Sequence, residues 1–144
     1  NHLRKGDVLL IHSVSGRNTV PVEMAIEASK TGVYVIALTN MEYSSGVASR
    51  HPSGKKLYEV SDLVLDNCGV AGDAAIRLEG LEEAIGPTST AVGAALVNGL
   101  MIEVVEKLIE DKIVPPVFLS ANLDGGDEHN RKIFEEYKDN IFYM

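Results

Sequence analysis

The chain is poor in the residues that build disulfides, metal clusters and nucleic-acid surfaces. Its 144 residues include one cysteine, no tryptophan and 6% aromatic side chains. A lone cysteine cannot close a disulfide within the chain, which is compatible with a reducing compartment. The 13 basic residues are outnumbered by 21 acidic ones, for a net charge of −8. A protein that binds the phosphate backbone of a nucleic acid needs a positively charged surface, so we expect no nucleic-acid partner.

Long apolar runs are missing as well. The longest mostly apolar stretch, 91–105, contains Asn98 and Glu103 and is shorter than a bilayer span. The first residues do not have the pattern of a signal peptide, so none is expected. We therefore expect no membrane partner and a cytoplasmic location. The 45% hydrophobic and 24% charged residues are the mixture of an ordinary globular domain.

What the sequence does contain is an alternation of short apolar runs and longer amphipathic stretches. Strands are predicted at 7–12, 33–39, 62–66 and 117–120. Helices are predicted at 21–31, 91–112 and 127–137, helical turns at 55–61 and a short helix at 74–78. Pro21 suits a first helical turn, Gly32 a helix end, and Asp127 an N-cap. Strands joined through helices by short links predict a parallel α/β sheet.

The first predicted strand leads into the polar segment His12-Ser-Val-Ser-Gly-Arg-Asn-Thr19, directly before a helix. In open parallel sheets, ligands bind beyond the carboxyl ends of the strands. Serine hydroxyls, a glycine and the amides of a helix start favour an anion there. The segment matches neither the Walker pattern nor G-x-G-x-x-G, so we expect a compact phosphate monoester and no cofactor. The alternative is a polar turn that only caps the helix.

Two segments resemble the SIS (sugar isomerase) domain family. They are Ser13-x-Ser15-Gly16, with a polar residue two places on, and Gly32-x-x-Val35-Ile36-Ala37-Leu38-Thr39-Asn40. Further segments are similar to SIS-domain proteins labelled as phosphosugar or phosphoheptose isomerases: 49–55, 66–69, 86–90 and 120–122. The resemblance implies a three-layer parallel sheet with helices on both faces (SIS, flavodoxin-like). It also implies one phosphosugar-binding domain over 1–144 that lacks the family's N-terminal helix and first strand, as the C-terminal part of a longer chain.

The resemblance further implies the ligand contacts. The implied phosphosugar-binding residues are Ser13, Ser15, Gly16, Asn18, Thr19, Thr39 and Ser44. Ser13 and Ser15 would bind phosphate through their hydroxyls, and Gly16 would bind it through its amide. Asn18 stands where the family has threonine or serine, with Thr19 one place later.

Phosphosugar binding with aldose–ketose isomerisation is the leading interpretation. Isomerisation needs a base and a group that polarises the carbonyl, and the candidate bases are His51, Glu79 and His129, none of them supported by a motif. Residues 17–21 are similar to the Gly-Arg-Thr-Pro turn of N-acetylmuramic acid 6-phosphate etherases, so an etherase-type lyase is one alternative. The other is a sugar-phosphate sensor, because the same fold serves as an effector domain in transcriptional regulators.

The remaining polar groups have simpler explanations. Carboxylates such as Asp127 at the start of the last helix suit the helix dipole, so no metal site is predicted. Arg50 and Lys55 are interpreted first as solvated loop charge and second as partners of an anionic ligand. Cys68 is expected to be buried or half-buried and inert. The helix 91–112 is more apolar than one buried stripe requires, which predicts a homo-dimer or larger homo-oligomer.

Overall fold

The computed structural model describes residues 2–140 of the chain. Among these residues, a first compact unit is formed by 3–99 and a second by 100–140. The strands are β1 (Val8–His12), β2 (Tyr34–Thr39), β3 (Leu63–Asp66), β4 (Ala74–Ile76) and β5 (Ile85–Pro87). The helices are α1 (Thr19–Lys30), α2 (Met41–Gly46), α3 (Ser89–Glu110) and α4 (Gly126–Tyr137), with a 3₁₀ turn at Leu57–Glu59.

The first unit is built on a parallel three-stranded sheet in the order β1-β2-β3. Ile11 pairs with Ala37, and Ala37 pairs with Val64, so the three strands end at the same edge. This confirms the predicted parallel α/β sheet for these strands. The second layer of helices that the three-layer arrangement requires stays a prediction.

Helix α1 covers one face of this sheet. Its Val22, Ala25 and Ala28 recur at helical spacing and are buried against the strand side chains Ile11, Val33, Val35 and Ala37. Burying one such aliphatic side chain contributes about 1.5–3 kcal/mol, so this face holds the unit together. Gly32 follows the last residues of α1 in a left-handed conformation, with φ +80°, and ends this helix as the sequence predicts.

The segment 70–88 corrects a prediction. Residues 74–78 do not form a helix: Ala74 pairs with Pro87 and Ile76 with Ile85 in an antiparallel hairpin. Glycines with positive φ at positions 72, 80 and 86 allow the chain to turn back on itself there. The turns favour the hairpin, and their effect outweighs the preference of the short apolar run 74–78 for a helix.

Asp73 caps helix α3 from outside the helix. Its Oδ1 accepts hydrogen bonds from the backbone N–H of Ser89 at 2.8 Å and of Thr88 at 3.1 Å, and its Oδ2 accepts from the Ser89 hydroxyl at 2.8 Å. These bonds, the Ser89 hydroxyl first, lower the pKa of Asp73 below its ordinary value. The N-terminus of α3 is therefore occupied by a carboxylate of the chain itself.

The second unit contains α4 and the segment before it, and two predictions fail there. Residues 117–120 form no strand, because the Asn130 side chain bonds both the N–H and the carbonyl of Leu119. These backbone groups are thus satisfied without a neighbouring strand. Asp127 lies in the first turn of α4 rather than at its N-cap, which is Gly125 with φ +80°.

Replacing Asp73 tests the cap. We expect Asp73→Ala to lower the free energy of unfolding at neutral pH by about 0.5–2 kcal/mol, the usual cost of a lost cap. Because the folded pKa of Asp73 lies below its ordinary value of 3.8, this contribution is present above that value and is lost as the pH falls through the folded value. Denaturant unfolding of both proteins in neutral and acidic buffer measures the difference.

Glu82→Ala is the matched control, since it removes an exposed carboxylate of the β4–β5 hairpin that forms no ion pair with any of residues 2–140. A stability difference for Asp73→Ala that is equally large in acid, or equal to that of the control, would contradict the assigned cap.

Candidate functional site

The candidate site lies in the first unit, where the carboxyl ends of the three parallel strands meet. Three loops leave this edge, and the start of α3 comes close to them. A Cβ placed on Gly69 would lie 3.2 Å from the Asn67 Oδ1, 3.2 Å from the Thr88 hydroxyl and 3.4 Å from the Asn40 amide nitrogen. Polar groups that directly follow β2 and β3 and directly precede α3 therefore converge at the edge where parallel sheets bind ligands.

The loop after β1 is folded tightly onto its neighbours. Its first amide, Ser13 N–H, continues the sheet by donating to the Leu38 carbonyl at 2.9 Å. The Val14 carbonyl accepts from Asn40 N–H, and the Gly16 carbonyl accepts from Leu57 N–H at 2.8 Å. The loop is thereby attached both to the end of β2 and to the 3₁₀ turn.

Gly16 is required by this arrangement. Its φ is +56°, and a Cβ there would lie 2.8 Å from the Ser44 hydroxyl oxygen and 3.2 Å from that of Thr39. Its N–H donates to the Ser13 carbonyl at 3.1 Å. The amide is thus engaged within the turn, and the contribution of Gly16 in this conformation is the shape of the loop.

The other two loop residues expected to bind phosphate, Ser13 and Ser15, are half-buried. Neither hydroxyl has a hydrogen-bond partner in the described part of the chain, and no backbone group there accepts from Ser15 N–H. These donors are available to an external acceptor, although the role itself stays a prediction.

Thr39 and Ser44 are placed beneath the loop rather than facing outward. Both are fully buried. The Thr39 hydroxyl donates to the Val14 carbonyl at 3.0 Å and so supports the loop. The Ser44 hydroxyl, at the end of the unpredicted helix α2, is buried without a hydrogen-bond partner among the described residues.

Asn18 and Thr19 stand at the start of α1. Asn18 is the N-cap by backbone conformation, yet its side chain makes no capping bond. Instead Arg50 Nη1 donates to Asn18 Oδ1 at 3.2 Å, and the Thr19 hydroxyl donates to the Arg50 carbonyl at 3.1 Å. The first turn of α1 has no acidic residue. The partial positive charge of this helix end is thus not offset by a carboxylate in the turn.

The three candidate bases belong to three different segments of the chain. His51 bonds Glu23 of α1 through Nε2 at 2.6 Å and Ser53 through Nδ1 at 2.7 Å, which holds its loop on α1. Glu79 is exposed in the β4–β5 hairpin. His129 belongs to the second unit, where its Nε2 lies 2.9 Å from the Val117 carbonyl oxygen. Both ring nitrogens of His51 and the Nε2 of His129 are thus engaged in hydrogen bonds.

Sequence reasoning missed the pairing of two asparagines at this edge. Asn40 Nδ2 donates to Asn67 Oδ1 at 3.1 Å, and both side chains are buried. The sequence did contain a sign of this pairing, because each asparagine directly follows the last residue of a predicted strand. In the structure these last residues, Thr39 and Asp66, pair in the sheet. Asn67 Nδ2 has no partner among the residues described.

Cys68, in the same turn, corrects another prediction. It is exposed rather than buried. Its φ of +50° and the bond from its N–H to Asp66 Oδ1 at 3.0 Å belong to a turn that stands off the sheet. Cys68 is not among the residues of the buried apolar core found in the described part of the chain.

Outside this edge, the described residues form no second candidate for a reactive site. A surface groove of about 500 Å³ lies along α4 and is lined by residues 127–138, but one helix face with mixed charges brings no reactive groups together. Within residues 2–140 no three His, Cys, Asp or Glu side chains are grouped as a metal site requires. No helix of that range is both long and apolar enough to cross a membrane.

Comparisons with known proteins indicate the family that the chain resembles. The family model of the SIS domain matches residues 1–40, which include the loop after β1. The chain is 51% identical over 142 residues to a UPF0309 protein of Shouchella clausii, and 48% identical over 142 residues to one of Oceanobacillus iheyensis. Each alignment covers 99% of this chain and 58% of the relative.

A UPF0309 protein of Halalkalibacterium halodurans is 51% identical over 131 residues, covering 91% of this chain and 54% of that protein. The chain thus spans little more than half the length of these relatives, and the name UPF0309 states no activity. The matches support the SIS domain family for this chain, and its similarity to the UPF0309 proteins runs over nearly its whole length.

Proposed function

We propose that the chain binds a phosphosugar, with the loop from Ser13 to Thr19 as its phosphate site. The observation that carries this proposal is the pair of unpartnered hydroxyls, on Ser13 and Ser15, beside a helix start without an acidic residue. The match of residues 1–40 to the SIS domain supports the same loop.

The energetics favour a phosphate over a neutral group at this position. A helix N-terminus stabilises an anion by about 0.3–1 kcal/mol, and a hydrogen bond to a charged group contributes about 1.5–3 kcal/mol. The chain as a whole carries −8 charges, so attraction of an anion must come from local donors rather than from the overall field. Hydroxyls, amides and a neighbouring guanidinium are such donors.

For the whole protein we propose aldose–ketose isomerisation of a sugar phosphate. The etherase-type lyase and the sugar-phosphate sensor are the alternatives, and all three share the binding step. Among the candidate bases, His51 is bonded to Glu23 and Ser53, Glu79 lies in the β4–β5 hairpin, and His129 belongs to the second unit. The residues of the loop itself therefore support the binding step.

Matched sugars test the phosphate site. We expect the intact protein to bind hexose or heptose phosphates and not the corresponding free sugars, because the loop offers donors for an anion. Isothermal titration calorimetry on each pair measures the difference. Equal affinity for a phosphorylated sugar and its free counterpart would remove the phosphate site.

A single hydroxyl can be tested next. Ser15→Ala removes one charge-assisted hydrogen bond, so we expect the affinity for the sugar phosphate to fall about tenfold to a hundredfold. Thermal stability without ligand should be unchanged, since the Ser15 hydroxyl bonds no group of residues 2–140. Ser29→Ala, an exposed serine on α1, is the control. Undiminished binding by Ser15→Ala would contradict the assignment of this loop.

We also propose that the protein is a homo-dimer or larger homo-oligomer. In the second unit, α3 exposes a set of large apolar side chains: Met101, Ile102, Val104 and Ile109. Exposed apolar surface of this kind is typical of interfaces. Light scattering of the intact protein at micromolar concentration should give at least twice the chain mass, and a monomer would refute the proposal.

A further inference from the structure

The start of α1 is capped in an unusual way. An N-cap asparagine normally accepts a hydrogen bond from the second or third amide of the helix. Here the third residue, Pro21, has no amide, and the Asn18 side chain makes no capping bond. Its Oδ1 is held by Arg50 Nη1 at 3.2 Å. The amides of Thr19 and Val20 are left without an acceptor in the described part of the chain.

Arg50 is fixed in place by its surroundings. Its N–H donates to the Arg17 carbonyl at 2.8 Å, and its carbonyl accepts from the Thr19 hydroxyl at 3.1 Å. The next residue, His51, is tied to Glu23 of α1 at 2.6 Å. The backbone of Arg50 is therefore held beside the start of α1, and its guanidinium reaches Asn18 from there.

Neither Arg50 nor the adjacent Arg17 forms an ion pair with any carboxylate of residues 2–140; the pairs found there involve other cations. Acidic residues outnumber basic ones by 21 to 13. Two neighbouring arginines without a carboxylate are therefore unexpected in this chain. Their arrangement leaves positive charge available for an external anion.

Two polar groups, one in the loop and one beneath it, are buried without a hydrogen-bond partner among the described residues. Arg17 Nε is buried and has no hydrogen-bond partner among residues 2–140. The Ser44 hydroxyl, also buried and unpartnered, lies 2.8 Å from where a side chain on Gly16 would begin. Leaving a buried polar group unpaired costs about 1–3 kcal/mol, and native proteins usually satisfy such groups.

We infer that Arg50, together with Arg17, makes this loop selective for the doubly charged form of a phosphate monoester. The inference rests on the proposed function, because it concerns the same phosphate site. Arg50 acts in two ways. It holds the side-chain oxygen of Asn18 away from the amides at the start of α1, and it adds positive charge beside these amides. The second pKa of a phosphate monoester is about 6, whereas a sulfate ester keeps one charge throughout.

The test compares two esters at two pH values. Glucose 6-phosphate, inorganic phosphate and glucose 6-sulfate are titrated into the intact protein at about pH 5 and about pH 7.5, on either side of the phosphate pKa. We expect the two phosphates to bind about tenfold more tightly at the higher pH. The titratable groups near Arg50 are His51 in its own loop and Glu23 on α1. The sulfate, whose charge is constant, reports any effect of their titration.

Arg50→Gln should abolish this pH dependence and weaken phosphate binding at the higher pH about tenfold to a hundredfold, with little change for the sulfate. Lys55→Gln removes one positive charge from an exposed residue of the same loop and is the matched control. Adding Asn18→Ala to Arg50→Gln should restore part of the affinity for phosphate. The side-chain oxygen of Asn18 can then no longer compete with the phosphate for the amides at the start of α1.

The outcomes separate the two proposals. An Arg50→Gln protein that keeps the wild-type preference for the dianion overturns the role of Arg50, while the phosphate site tested through Ser15 is unaffected. Absence of partial recovery in the double variant overturns the positioning of Asn18. If the wild-type protein binds neither phosphate nor any sugar phosphate, the proposed function itself fails.

Discussion

The left-handed conformation of Gly16 is the constraint on which the candidate site depends. With φ at +56° the chain turns directly over the buried hydroxyls of Thr39 and Ser44, in a space that no side chain can enter. The same turn directs the Gly16 carbonyl to Leu57 and the Val14 carbonyl to the end of β2. The loop, the end of the central strand and the 3₁₀ turn are thereby fixed relative to one another.

The helix starts of the chain differ in how their positive ends are satisfied. The start of α3 receives the carboxylate of Asp73 at 2.8 Å, and the first turn of α4 contains Asp127 and Glu128. The first turn of α1 has no acidic residue, and its N-cap asparagine is bonded to Arg50 instead. An external anion would supply at α1 what the chain itself supplies elsewhere.

The local order of the first unit was predictable because it rests on patterns within short stretches. Buried parallel strands appear as continuous apolar runs, and Gly32 marks the end of α1, so β1, α1 and β2 were found close to their observed bounds. The segments 74–78 and 117–120 were misassigned because each contains few residues. At 74–78, glycines in turns favour a hairpin over a helix. At 117–120, the Asn130 side chain bonds the backbone in place of a neighbouring strand.

By itself the sequence determined the parallel sheet and the position of a polar loop at its carboxyl end, since both depend on neighbours along the chain. Only the tertiary structure decided which groups of that loop are free. Thr39 and Ser44 are buried beneath it, and the Gly16 amide is engaged within it. Arg50 reaches Asn18 from 32 residues away. Such contacts depend on how distant segments pack, and no local spacing of residue types records that packing.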